Sequence, residues 1–187
     1  TLGLTEEEHH YFCSLLSERS TETGQIELQW AASTHEQKAE ALESLHETLT
    51  TSNALIRQFL NHEGDYQLFL DYEARLPDRE ALSHVNVAGD LSHAEYSDLL
   101  EELYQARAEI EEATGCEFEN WRFLAEHQDL ALLETLREEA DRKIQARLSG
   151  VLPPDKKELF LAQWNDLRKR QRDQSRITLG LLLEERS

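Results

Sequence analysis

The 187-residue chain has no methionine, two cysteines, three prolines and seven glycines. So few turn-formers disfavour a β protein built from many short strands. No apolar run approaches the ~20 residues that a membrane-spanning helix needs, so no membrane span is expected. Basic residues are scarce: 19 Lys and Arg stand against 38 Asp and Glu, a formal net charge of −19. That balance argues against direct binding to nucleic acid or to an anionic membrane, because phosphate recognition needs a basic footprint. Enzyme signatures are missing as well. There is no GxSxG, P-loop, GxGxxG, HExxH or DxDxDG sequence, and the expectation is a non-enzymatic protein with no catalytic residue and no cofactor. The absent methionine sets a further expectation, since a complete translation product starts with one. A segment such as a signal peptide has been removed from the front, which implies a periplasmic or otherwise exported protein, with a cytoplasmic one as the alternative.

The two cysteines permit one disulfide or two thiols, and neither sits in a CxxC. Cys13 reads as a structural thiol on an apolar helix face. Cys116 follows Gly115 in an expected loop, within reach of a partner.

What is present is helical periodicity from end to end. A chain of this length can hide roughly 70% of its unfolded surface, enough for a real core. Thr5-Glu6-Glu7-Glu8 reads as a capping box, followed by Tyr11, Phe12, Leu15 and Leu16 on one face. Gln25 to Ala32 reads as a connection or an extension of that helix. Ser33-Thr34-His35-Glu36 is a second box, ahead of a helix to about Leu60. Its apolar positions, Leu42, Leu45, Leu49, Ser52, Ile56 and Phe59, step by 3 and 4 in a heptad-like seam, with Lys38 one step earlier. Asn61 is a candidate N-cap for a short helix carrying Tyr66, Phe69 and Leu70, stopped before Pro77. Ser92-His93-Ala94-Glu95 is a third box, opening a helix with Leu99, Leu100, Leu103, Ala106 and Ile110. Gly115 ends it. Trp121 to Leu148 outlines a further long helix, and Pro153-Pro154 opens the last.

This pattern predicts an all-α protein: elongated antiparallel helical hairpins or a bundle of about six helices, long ones with heptad-like seams. The expected organisation is a first three-helix half over 1–76, a polar linker over 77–91, and a second three-helix half over 92–187, with one continuous domain as the alternative. The expected core is Phe12, Leu15, Leu45, Leu49, Ile56, Phe59, Phe69, Leu99, Leu103, Leu136, Ile144, Phe160 and Trp164.

The two halves share helix starts. Leu4-Thr5-Glu6-Glu7-Glu8 is matched by Leu91-Ser92-His93-Ala94-Glu95, an offset of 87 from Thr5 to Ser92. Leu60-Asn61 is matched by Leu152-Pro153-Pro154-Asp155-Lys156, an offset of 92. These starts resemble the Leu-Thr-x-x-Gln and Leu-Thr-Pro-Glu-Gln motifs of the Spy/CpxP-like family of small helical periplasmic proteins, here in tandem duplicate. Glu8, Glu95 and Lys156 stand where that family has Gln. The resemblance implies a cradle-like, often dimeric helical hairpin that acts as an ATP-independent chaperone, a stress regulator or a metal sensor. Chaperone-type relatives carry a basic concave face, which a charge of −19 does not match.

Three constellations are weighed for chemistry. His9 and Cys13 lie i, i+4 on one helix face, a spacing that presents two ligands to a borderline metal and would need others from elsewhere; no metal site is assigned. The glutamate-rich stretches at 6–8, 101–102, 109–112 and 138–139 read as solubilising helix faces rather than paired catalytic carboxylates. Arg168-Lys169-Arg170 with Arg172 forms a basic island in an acidic chain. It is either a helix face paired with acidic neighbours or a docking strip for an acidic partner or a second copy.

Two functions follow. One is an envelope protein that binds an unfolded client or a protein partner through surface and groove, as a homodimer on the family resemblance. The other is an intracellular acidic protein that captures a basic partner, its carboxylates standing in for nucleic-acid phosphates.

Overall fold

The computed structural model describes residues 2–31, 33, 35–119, 123, 126–127 and 129–184. The described residues form seven α-helices and no strand: α1 (Glu6–Ala31), α2 (His35–Leu60), α3 (Glu63–Ala74), α4 (Leu76–Ser83), α5 (His93–Thr114), α6 (Leu130–Arg147) and α7 (Pro154–Glu184). Short 3-10 segments cover Asn86–Asp90 and Leu148–Gly150. The all-α expectation holds. None of these helices is long and apolar enough to cross a membrane. The chain divides into two compact units at Tyr72/Glu73, in the last turn of α3.

The first unit is an antiparallel α1–α2 hairpin with α3 beside it. The Thr5 box forms as read: the Thr5 N–H donates to Glu8 Oε2 at 2.8 Å, and the Glu8 N–H donates to Thr5 Oγ1. Helix α1 runs on through Gly24 to Ala31, so the 25–32 stretch is helix. The second box rests on residues that are only partly described. The Ser33 hydroxyl donates back to the Gln29 carbonyl at 2.6 Å, while Thr34 and the Glu36 side chain lie outside the described residues. The α2 seam is buried at Lys38, Ala41, Leu45, Ile56 and Leu60, and half-buried at Leu42, Leu49, Ser52 and Phe59. Asn61 does not start α3; it ends α2 in the left-handed region, at φ 45°. Its short polar side chain tolerates that conformation better than most. The core here is Phe12, Ile56, Leu60 and Phe69, flanked by Leu4, Leu16, Phe59, Tyr66 and Leu70. Phe12 stacks on Phe59 and meets Phe69 edge-on.

The second unit packs α5, α6 and α7 antiparallel in succession. Ser92 and Glu95 complete the capping box of α5, and Gly115, at φ 69°, ends it through the left-handed turn that glycine adopts without strain. Leu99, Leu103, Ala106, Ile144, Leu148, Phe160, Trp164 and Leu167 form the main cluster. Ile110, Phe118, Phe123, Leu133, Leu136 and Ala140 form a second. Trp121 and Leu124, read as part of a long helix, lie outside the described residues, and α6 begins at Leu130.

The segment 77–91 is not a linker. It holds most of α4 and a 3-10 turn, and it buries Ala81, Leu82, Val85, Val87 and Ala88 in the core of the second unit. Pro77 stands in the first turn of α4, where its missing N–H costs nothing. The Val87 N–H donates to Gln163 of α7 at 3.0 Å, fixing the turn. Helix lengths do not repeat between the units. The last helix is the shortest of the first three, at 12 residues, and the longest of the later four, at 31.

Candidate functional site

The second unit contains charged side chains on its apolar stripes. Arg107 lies one turn after Leu103 on α5; Arg137 follows Leu133 on α6 by four; Arg168 follows Trp164 on α7 by four. Helical spacing therefore aims each at the interior. Arg107 is buried and bonds Asp78 through Nε and Nη2, Glu111 through Nη1, and the Ala74 carbonyl. Burial pushes the Asp78 carboxyl above its usual range, beyond what Arg107 recovers. Burial also pushes Glu111 up.

Beyond this lies a second group. Glu119, just past Phe118, receives Arg168 Nη1 on Oε1 at 2.5 Å and Arg137 Nε and Nη2 on Oε2 at 3.2 and 3.0 Å. Arg168 Nε reaches Asp141 at 2.9 Å, its Nη1 also reaches Gln171, and its guanidinium lies 4.7 Å from the Trp164 ring. Trp164 Nε1 shares the same Asp141 oxygen at 2.8 Å, and Arg137 Nη1 donates to Ser175. Burial alone would raise the Glu119 carboxyl, but the Arg168 and Arg137 charges outweigh it and hold it below the usual range. The same exchange holds Arg168 above its ordinary value: the Glu119 and Asp141 charges outweigh burial.

Asp78, Glu119, Arg137, Trp164 and Arg168 floor a cavity of about 430 Å³ between α4 and α7, rimmed by Glu80, His84, Arg170 and Gln174. Its volume is within the range of small-molecule sites. A neighbouring cavity of about 460 Å³, with Asn86, Gln163 and Lys169 in its wall, shares His84 and Arg170.

The basic island read from the sequence therefore splits. Arg168 is committed inward, and Arg172 reaches Glu134 and Glu138 at 3.5 and 3.6 Å across the helix pair. Lys169 and Arg170 are exposed and make no ion pair among the described residues. A strip of four accessible bases is thus reduced to two, because heptad-like spacing turns 168 and 172 toward α6.

His9 and Cys13 do meet, with the sulfur 3.8 Å from Nδ1. Among the described residues no group of three or more His, Cys, Asp or Glu converges as a metal site would require. Cys13 is exposed rather than buried on the apolar face, because Phe12 takes the core position beside it. Cys116 is half-buried, and both thiols are free.

The first unit is differently charged. Residues 1–72 hold 13 acidic and three basic side chains, a net of −10. Glu6, Glu7, Glu8, Glu18, Glu22, Glu27, Glu40, Glu43 and Glu47 are all exposed on the α1–α2 hairpin. Of the three bases, Arg57 pairs with Glu63 and Lys38 is buried against the Trp30 ring. The second unit is nearer balance, with 24 acids and 15 bases over residues 73–184.

Compared with protein families, curated proteins and solved structures, the chain matches none.

Proposed function

We infer that the protein is a non-enzymatic binding protein whose carboxylate-rich α1–α2 hairpin captures a basic partner, such as the cationic face of a nucleic-acid-binding protein. The observation that carries this reading is the segregation of charge. The hairpin's acids are solvent-facing and far outnumber its bases, while at least ten of the second unit's 24 acids pair with that unit's own arginines and lysines. A surface of one sign steers an oppositely charged partner and sets its orientation. Titrating the full chain with a lysine-rich peptide across a salt series tests it. Binding is expected to weaken by about tenfold or more between low salt and roughly 0.5 M. Reversing Glu40, Glu43 and Glu47 to Lys, at exposed positions, is expected to abolish it. Salt-independent binding, or none, sinks the reading.

A second reading, that of the Spy/CpxP-like resemblance, has the same unit hold unfolded clients as a homodimer in the periplasm. Leu28, 72% exposed, with Leu55 and Leu68, favours it. It predicts suppression of client aggregation that survives high salt.

A further inference from the structure

The cavity between α4 and α7 has a specific hydrogen-bonding imbalance. Its lining includes three acids, Asp78, Glu80 and Glu119, and three arginines, Arg137, Arg168 and Arg170. Two of the acids are spent, Asp78 on Arg107 and Glu119 on Arg137 and Arg168. Arg137 is engaged through all three of its nitrogens, but Arg168 and Arg170 retain free donors among the described residues. A guanidinium offers five N–H donors. Arg168 commits three, through Nε and Nη1, and its Nη2 makes no hydrogen bond among the described residues. Among the described residues Arg170 commits none, and the Gln174 amide on the next turn is equally unengaged. Arg168 is also immobilised: its side chain is 12% exposed and held by Asp141, Glu119, Gln171 and the Trp164 ring. A planar fork fixed in this way binds an oxyanion with little further loss of side-chain freedom.

We propose that this cavity is a binding site for a small oxyanion-bearing ligand, a carboxylate or a phosphate, held by the free Nη2 of Arg168 together with Arg170 and Gln174. Glu119 and Asp141 act as positioning residues that keep Arg168 aimed. The carboxylate of Glu80 on the rim, unpaired among the described residues, disfavours a polyanion and selects a ligand of low net charge. The proposal is independent of the hairpin reading, because every lining residue belongs to the second unit.

The full chain is titrated with inorganic phosphate and, separately, with glutamate at constant ionic strength, following the Trp164 indole and arginine Nε–H signals by NMR. Saturable shifts at those signals with either probe support the site, and which probe binds separates phosphate from carboxylate. Arg170→Ala, at an exposed position without a partner among the described residues, should leave the melting temperature unchanged and weaken binding by about tenfold or more. Gln174→Ala should weaken it less. Shifts that do not saturate at millimolar probe, or that persist undiminished in Arg170→Ala, overturn the proposal. Charge reversal on the hairpin should leave these shifts intact while abolishing capture of the basic peptide, so the two readings fail separately.

Discussion

Single residues in the interior of the second unit carry charge, and the cost of removing them depends on which partner is left behind. Arg107→Ala strands the buried Asp78 carboxyl, and a destabilisation of about 3–5 kcal/mol is expected in urea unfolding. Asp78→Asn should cost less, because burial already favours the neutral form of that group and Arg107 keeps Glu111. Surface chemistry is equally residue-specific: a thiol reagent should modify Cys13 faster than Cys116 in the native chain, read by mass spectrometry of the labelled peptides. The sequence held a signal for the buried arginines that composition hid. Arg107, Arg137 and Arg168 each stand four residues after a core Leu or Trp, in phase with the apolar stripe. The basic island drew attention because it is contiguous, yet contiguity along a helix spreads residues round its circumference, which is why only Lys169 and Arg170 face outward. Glu119 carried no such signal, since it follows α5 in a segment without period.

Helix ends were the most legible elements, because a cap is a local contract between a few neighbouring residues. The boxes at Thr5 and Ser92 and the glycine stop at 115 all formed. Gly115→Ala should cost about 1 kcal/mol in chemical denaturation, all of it from backbone conformation, since nothing crowds the site. The Ser92 box has a pH signature. The Ser92 N–H, reinforced by Lys156 of α7, holds the Glu95 carboxyl down from 4.5 to about 2. A carboxyl depressed in the folded state stabilises fully above its unfolded value and loses that contribution as pH falls from about 4.5 toward 2. Urea midpoints of Glu95→Gln should therefore vary less with pH across that window than those of the parent chain. The segment 77–91 reads as polar because its helical step, Ala81, Val85 and Ala88, is carried by small residues and interrupted by Val87. A helix that hands over to a 3-10 turn changes step in mid-segment and blurs the pattern.

At the scale of the whole molecule, the two units differ in how their charge is balanced, and they should respond differently to salt. Repulsion among the exposed carboxylates of the first unit is screened at high ionic strength, whereas the buried pairs around Arg107 and Arg168 are screened little. Hydrogen exchange on the full chain is expected to slow in α1 and α2 between low salt and roughly 0.5 M, and to change little in α5 to α7. Division into two units was only half legible: the number of parts could be read, but the boundary fell in α3, where no glycine or proline marks it.

The aromatic cluster of the first unit joins the start of α1 to the end of α2 and to α3. The hairpin is thus clasped at its open end, by residues as far apart in sequence as Phe12 and Phe69, rather than at its connection. Forming the clasp first requires closing a long loop, whereas zipping from the connection proceeds through the sparser contacts of Trp30, Lys38 and Ala41. Phe12 and Ile56 should then have joined their partners only after the folding barrier is crossed, so their truncation speeds unfolding and leaves the folding rate nearly unchanged.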